Sequence, residues 1–222
     1  KIEALANELV GAYSSTIYIF YNAVLAQLPE ASILVTNGVE DLFPLVILQI
    51  TKKVNPTVDI VSLKLMNTHF DYANSVLKTY KLNTIFDKTS ESIYLSRLLQ
   101  QKKTRIFLSV TIPNSTYRNH QASLFLIGSV LEYKSTTQYN QLLKFYKSNA
   151  LFLNHIPVLT EGEKQLLSNY LPALLTLFKI QVQIGEVDGT LKGNIRALAK
   201  SIGKKEKIEQ ILNTYTKQKT IR

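Results

Sequence analysis

The sequence predicts an α/β protein: a three-layer, mostly parallel sheet of about four strands, Rossmann-like, followed by an α-helical, helical-repeat-like C-terminal part. Three observations predict it. Residues 31–54, ASILVTNGVEDLFPLVILQITKKV, read as a buried strand, a turn and a buried helix. Strand and helix patterns then alternate in quick succession to about residue 134, which implies parallel strands joined by right-handed crossovers. Past Lys134 only helical periodicity remains. The expected division is a sheet domain over 1–134 and a helical subdomain over 135–222 packed on it.

The elements follow in order. Residues 1–29 predict one long helix, with Leu5, Leu9, Tyr13, Ile17, Phe20, Val24 and Leu28 stepping by threes and fours. The first strand is expected over 32–35, left through Asn37-Gly38, where positive φ is tolerated. A helix then starts, with Asp41 as its cap and Pro44 in its first turn, where a missing N–H costs little. It is apolar nearly all round from Leu42 to Ile50, so it is expected to be covered on more than one side.

After Asn55-Pro56, VDIVSLKLM (58–66) alternates as a second strand. Thr68 and Asp71 then stand at capping-box spacing before a helix reaching about Tyr80. A loop over 84–89, a helix over 90–103 and a third strand RIFLSVTI (105–112) follow. Residues 115–121 are expected as an exposed polar loop, and LFLIGSVLEY (124–133) as a fourth strand in which Gly128 marks a bulge or close packing. Helices are then expected over 138–153, 161–183, 187–201 and 204–217. Thr160 and Glu163 have capping-box spacing. Pro172 is placed to kink or restart the second of these helices. No unit recurs at a fixed period.

Composition bounds function. The chain has 222 residues, 45% hydrophobic and 19% charged, and is long enough to bury a sizeable core. It has no cysteine, which removes disulfides, zinc–thiolate sites and a cysteine nucleophile. The formal charge of +10 is concentrated at one end. Residues 192–222 hold nine basic and two acidic residues, a net of +7. Basic residues on the solvated faces of terminal helices are the expected explanation; a polyanion or a membrane surface could also use them. Nucleic acid is the least expected partner, since no Arg-Gly repeats or exposed aromatic runs accompany the charge. No run of about 18 apolar residues occurs, so no membrane-spanning helix is expected in this chain. The chain begins at Lys1 without a methionine or a signal-peptide pattern, so a mature product or an excised segment is expected.

In a parallel sheet the loops leaving the C-terminal ends of the strands share an edge, and ligands bind there most often. That edge is expected to carry Asn37, Glu40, Asp41, Asn67, His69 and Asn114 as candidate ligand-binding residues. Glu40 and Asp41 disfavour phosphate, since each would repel the anion by up to about 4 kcal/mol at contact. A sugar hydroxyl, a peptide or a cation suits the loop better. The competing reading is structural: Asp41 caps, Asn37 turns and His69 lies on the surface. His69, His120 and His155 lack metal-site spacing. Walker, GxGxxG, GxSxG and HExxH motifs are absent from the sequence. No cofactor is expected. Asn114-Ser115-Thr116 is a formal glycosylation sequon.

The string LPEASILVTNGVEDLFPLVILQ is similar to a segment of large bacterial membrane proteins of the protein O-mannosyltransferase-like type, with a pattern LP-x-x-A-hydrophobic-x-TNGDNDT-x-PL-x-x-LQ. The resemblance continues in VDIVSLKLMNT, RIFLSVTIPN and LFLIGSVLEY, over roughly residues 22–133. Where the pattern has Asp-Asn-Asp-Thr, this chain has Val39-Glu40-Asp41-Leu42. Glycosyl transfer in such proteins would belong to their membrane part, so the resemblance implies an extracytoplasmic accessory domain and no transferase activity here. A noncatalytic binding or protein-interaction domain is therefore expected, with a protein partner at the helical end. The alternative is a carbohydrate-binding or glycan-processing site at the strand edge, using Glu40 or Asp41 with His69.

Overall fold

The structure, a computed structural model, describes residues 2–84, 89–101, 103–134 and 139–219. The expected loop over 84–89 and the boundary at 134/135 fall largely outside those residues. The protein is mixed α/β. Its contacts divide it into two units, Lys1–Phe125 with Val130–Thr136, and Leu126–Ser129 with Thr137–Arg222.

In the first unit, helices α1 (Ile2–Leu9) and α2 (Ser15–Ala26) replace the single long helix expected. A 3-10 turn over Val10–Ala12 follows α1, and the Ser14 hydroxyl then accepts the Ile17 N–H at 3.4 Å to cap α2. A serine that can cap competes with helix continuation, so the apolar stripe runs on through a break. Strands β1 (Ile33–Thr36), β2 (Asp59–Ser62) and β3 (Ile106–Ser109) lie parallel in the order β2-β1-β3. Between them come α3 (Val39–Lys52), α4 (Leu63–Thr68), α5 (Phe70–Thr79) and α6 (Glu91–Leu98).

β2 is half the length expected. Ser62 ends it and caps α4 by accepting the Leu65 N–H at 3.4 Å. LKLM alternates like a strand but also places Leu63 and Met66 three apart, both fully buried. Thr68 lies within α4, and His69 rather than Thr68 precedes α5, so the expected capping box does not form.

The residues expected as a polar loop form α7 (Asn114–Tyr117) and a 3-10 helix, Arg118–Ser123. The fourth strand is two, β4 (Leu124–Leu126) and β5 (Val130–Tyr133), separated at Gly128, whose φ of 136° only glycine adopts readily. The sheet is thus five-stranded and mixed, β2-β1-β3-β5-β4, with β5 antiparallel to β3. Ile33, Val35, Val61, Ile106 and Leu108 share one face, packed with Met66, Leu77, Leu95 and Leu98 of the following helices. The alternate strand residues, Leu34 and Phe107, are fully buried on the opposite face.

The second unit holds α8 (Tyr139–Asn154), α9 (Glu161–Leu167), α10 (Leu171–Ile184), α11 (Gly189–Ser201) and α12 (Lys205–Lys219). The capping box at Thr160 forms: its hydroxyl accepts the Glu163 N–H, and the Glu163 carboxylate accepts the Thr160 N–H at 2.8 Å. Pro172 restarts a helix, after a 3-10 turn over Ser168–Tyr170. Gly185 (φ 85°) and Gly203 (φ 72°) end α10 and the α11 turn in the left-handed region. Polar groups in the helical core find partners. The Tyr170 hydroxyl donates to Asn149 Oδ1, Asn149 Nδ2 donates to the Phe145 carbonyl, and Asn194 Nδ2 donates to the Tyr146 hydroxyl.

Candidate functional site

The edge where β1, β2 and β3 end is built first by backbone. Asn37 follows β1, and its carbonyl accepts the Lys64 N–H at 2.9 Å, which ties the exit of β2 to that of β1. Gly38 is the residue before α3, with φ −145° and ψ −164°, so its backbone is extended and not left-handed as the turn signal suggested. A side chain at this position would only have to displace the movable ends of two exposed side chains. A Cβ there would stand 2.7 Å from a Glu40 carboxylate oxygen and 2.9 Å from Lys64 Cδ.

Because α3 starts at Val39, Asp41 is its third residue and not its cap, and Pro44 lies in the second turn. Asp41 is 4% exposed. One carboxylate oxygen accepts the Tyr21 hydroxyl of α2 at 2.5 Å; the other accepts the Thr111 hydroxyl at 2.5 Å and the Asn37 N–H at 3.1 Å. Since Thr111 gives its one proton to Asp41, the Ser109 hydroxyl must donate to Thr111 Oγ1, 2.7 Å away. A relay runs from Ser109 through Thr111 to Asp41, met from the other side by Tyr21. Burial, and then the Asp41 charge, push the Tyr21 hydroxyl far above the usual tyrosine range. This tyrosine remains a hydrogen-bond donor at any physiological pH.

The position matters. In a sheet ordered β2-β1-β3, the strand order reverses between β1 and β3, and the crevice beyond their C-terminal ends is where open α/β sheets accept ligands. Here Asp41, after β1, and Thr111, after β3, are hydrogen-bonded to each other.

Compared with protein-family models, curated proteins and solved structures, the chain matches none.

Of the remaining expected residues, Asn67 and His69 stand at the end of α4 and not in a loop leaving β2, which already ends at Ser62. Glu40 is exposed on the first turn of α3, close enough to Tyr13 to help burial raise that hydroxyl's pKa. Asn67 lies in α4, half-buried, its Oδ1 enclosed without a hydrogen-bond partner among the described residues. His69 is exposed and makes no side-chain cap to α5. Asn114 is exposed at the start of α7, and its Oδ1 accepts the Tyr117 hydroxyl. Asn37 and Asp41 are thus joined directly; among the described residues, no hydrogen bond links Asn67, His69 or Asn114 to them.

Sequence reasoning missed Tyr21, Ser109 and Thr111. A signal was available: β1 and β3 both end in a hydroxyl residue, Thr36 and Ser109, at neighbouring register positions. Tyr21 stood in an apolar helix with no partner visible nearby in sequence.

One further pair has the appearance of chemistry. His120 Nε2 is 2.8 Å from the Ser96 hydroxyl oxygen. Ser96, however, donates its single proton to the Ser92 carbonyl at 2.8 Å, one turn earlier in α6. His120 is therefore the donor, and the pair is wired against activating Ser96 as a nucleophile. No group of three or more metal-ligating side chains occurs among the described residues.

Proposed function

We propose that this chain is a noncatalytic, extracytoplasmic interaction domain, in which the α/β unit is a rigid scaffold and the helical unit meets a protein partner. The observation that carries the reading is the inward commitment of Asp41, whose carboxylate accepts from Tyr21, Thr111 and Asn37. A general acid or base needs a free position facing substrate, and here three of a carboxylate's roughly four acceptor positions are taken by protein donors, on a residue that is 4% exposed. The β2-β1-β3 order supports a Rossmann-like reading of the scaffold. The α10–α11 and α11–α12 pairs, each turned at a glycine, are in keeping with a helical-repeat-like binding surface. Extracytoplasmic placement rests on the resemblance in residues 22–133 alone. A glycan site at the strand edge would have to work through Glu40 without its neighbouring carboxylate.

Because the chain lacks cysteine, a single introduced thiol can carry a photo-crosslinker to one chosen place. Gln210→Cys puts it on an exposed position of α12, and Asn114→Cys on the strand edge. In cell-envelope extract, the first is expected to capture a discrete protein and the second none. Adducts from Asn114→Cys alone, or from neither position, would overturn the reading.

A further inference from the structure

The helical unit carries a charged surface that the fold does not use. In α11, α12 and the turn between them Leu191, Ile195, Leu198, Ile202, Ile208 and Leu212 are buried and Ile211 is half-buried, so the outward faces are mostly polar. Around the Gly203 turn, Lys200, Lys204, Lys205 and Lys207 are all exposed, with Glu206 the acid among them. None of these four lysines is in an ion pair among the described residues. Alongside, Arg196 donates through two nitrogens to Glu209, at 2.6 and 2.9 Å. The Glu209 carboxyl is held below the usual range by Arg196 first, and also by Lys192 and Lys205, so all three cations lie near one another on the hairpin.

We propose that the turn end of the α11–α12 hairpin docks an acidic protein surface. The proposal rests on the interaction-domain reading and supplies the chemistry of its partner. Glu206 and Glu209 offset the lysines around the turn only in part, and salt screens exposed charges over about 8–10 Å, so a matching surface gains most at contact. Acidic protein suits the hairpin better than the other polyanions. The arginine, best fitted to grip phosphate in a bidentate way, is already held by Glu209. Tyr215, the one aromatic among the described residues of the two helices, is half-buried and so gives no open platform for bases. A membrane surface would call for exposed apolar side chains beside the lysines, and the large ones of the hairpin are buried or half-buried. Mixed charge with a positive excess sets both attraction and register against a protein.

The test uses the full chain and three probes: a fluorescent glutamate-rich peptide, a single-stranded oligonucleotide of equal charge, and vesicles containing an anionic lipid. The peptide is expected to bind more tightly than either alternative. The triple variant Lys200→Glu, Lys204→Glu, Lys207→Glu should weaken it by about tenfold or more, while Lys78→Glu with Lys81→Glu, exposed in the first unit, changes it by less than about twofold. A Lys→Gln version of the triple variant, with unchanged circular dichroism, should lie between. No peptide binding, an equal loss in the control, or tighter binding of the oligonucleotide or the vesicles would overturn the proposal. Capture at Gln210→Cys together with peptide failure would leave the interaction domain standing and remove the acidic partner.

Discussion

The carboxylate of Asp41 sets what single residues contribute at the strand edge. Removing one donor leaves a buried charge short of a hydrogen bond, which costs about 1–3 kcal/mol, more than the net value of a neutral pair. Tyr21→Phe is therefore expected to destabilise the protein by about that amount, read as a lower urea midpoint at unchanged slope. The hydroxyl also predicts a pH effect. Its pKa is raised in the fold by burial and by Asp41, so its contribution is complete below about pH 10, where a tyrosine of the unfolded chain ionises. Above that pH only the unfolded state releases the proton, and stability falls by up to about 1.4 kcal/mol per pH unit. Tyr80 and Tyr170 are shifted in the same direction, chiefly by burial, and add to the slope. Denaturation curves from about pH 8 to about pH 11 should show the decline, shallower in Tyr21→Phe; an identical slope in both would remove Tyr21 from the account.

Elements show where local sequence suffices. The strand–turn–helix unit at 31–54 was legible because an apolar β-branched run, a glycine and an acidic first turn occur within a few residues of one another. The capping box at Thr160 was legible for the same reason, and Thr160→Ala is expected to cost about 1 kcal/mol, with Thr160→Ser nearly neutral in thermal melts. Competing local signals defeated the reading elsewhere. VDIVSLKLM fits a strand and a helix equally, and Ser62 decides by capping α4. Gly128 was noticed, but the chain uses it to divide one expected strand into two. The junction of β3 and β5 could not be foreseen at all. Arg105 donates through Nε and Nη2 to one oxygen of Glu132, 27 residues later, and stacks over Phe107 at 5.3 Å. Arg105 is half exposed and Glu132 is buried, so Arg105→Ala strands a carboxylate and should cost about 1–3 kcal/mol. Adding Glu132→Leu should recover part of that loss in urea unfolding, because a buried apolar side chain needs no partner.

Across the whole molecule, charge and hydrogen bonding are unevenly placed. The positive excess sits in the last helices, while the candidate edge of the sheet carries Glu40 and Asp41. Within the first unit, β1 has a parallel strand on each side, whereas β2 lies at the sheet edge. Hydrogen exchange should be slowest at the fully buried Leu34 and Val35 and faster in β2. Equal protection of the two strands would contradict the strand order. The site's composition was only partly readable because Asp41 draws its donors from residues 20, 4 and 70 positions away. Periodicity detects the 4 and is blind to the others.

That spread has a bearing on biosynthesis. As the polypeptide emerges, Tyr21 and Asn37 reach Asp41 early, but Thr111 has yet to be translated, so the nascent N-terminal portion holds a carboxylate short of one donor. Docking of β3 supplies the missing hydroxyl and should act as a late latch. Ribosome-bound chains in which Thr111 is still untranslated or inside the ribosome would remain open to protease, and those long enough for β3 and Thr111 to have emerged and docked would not.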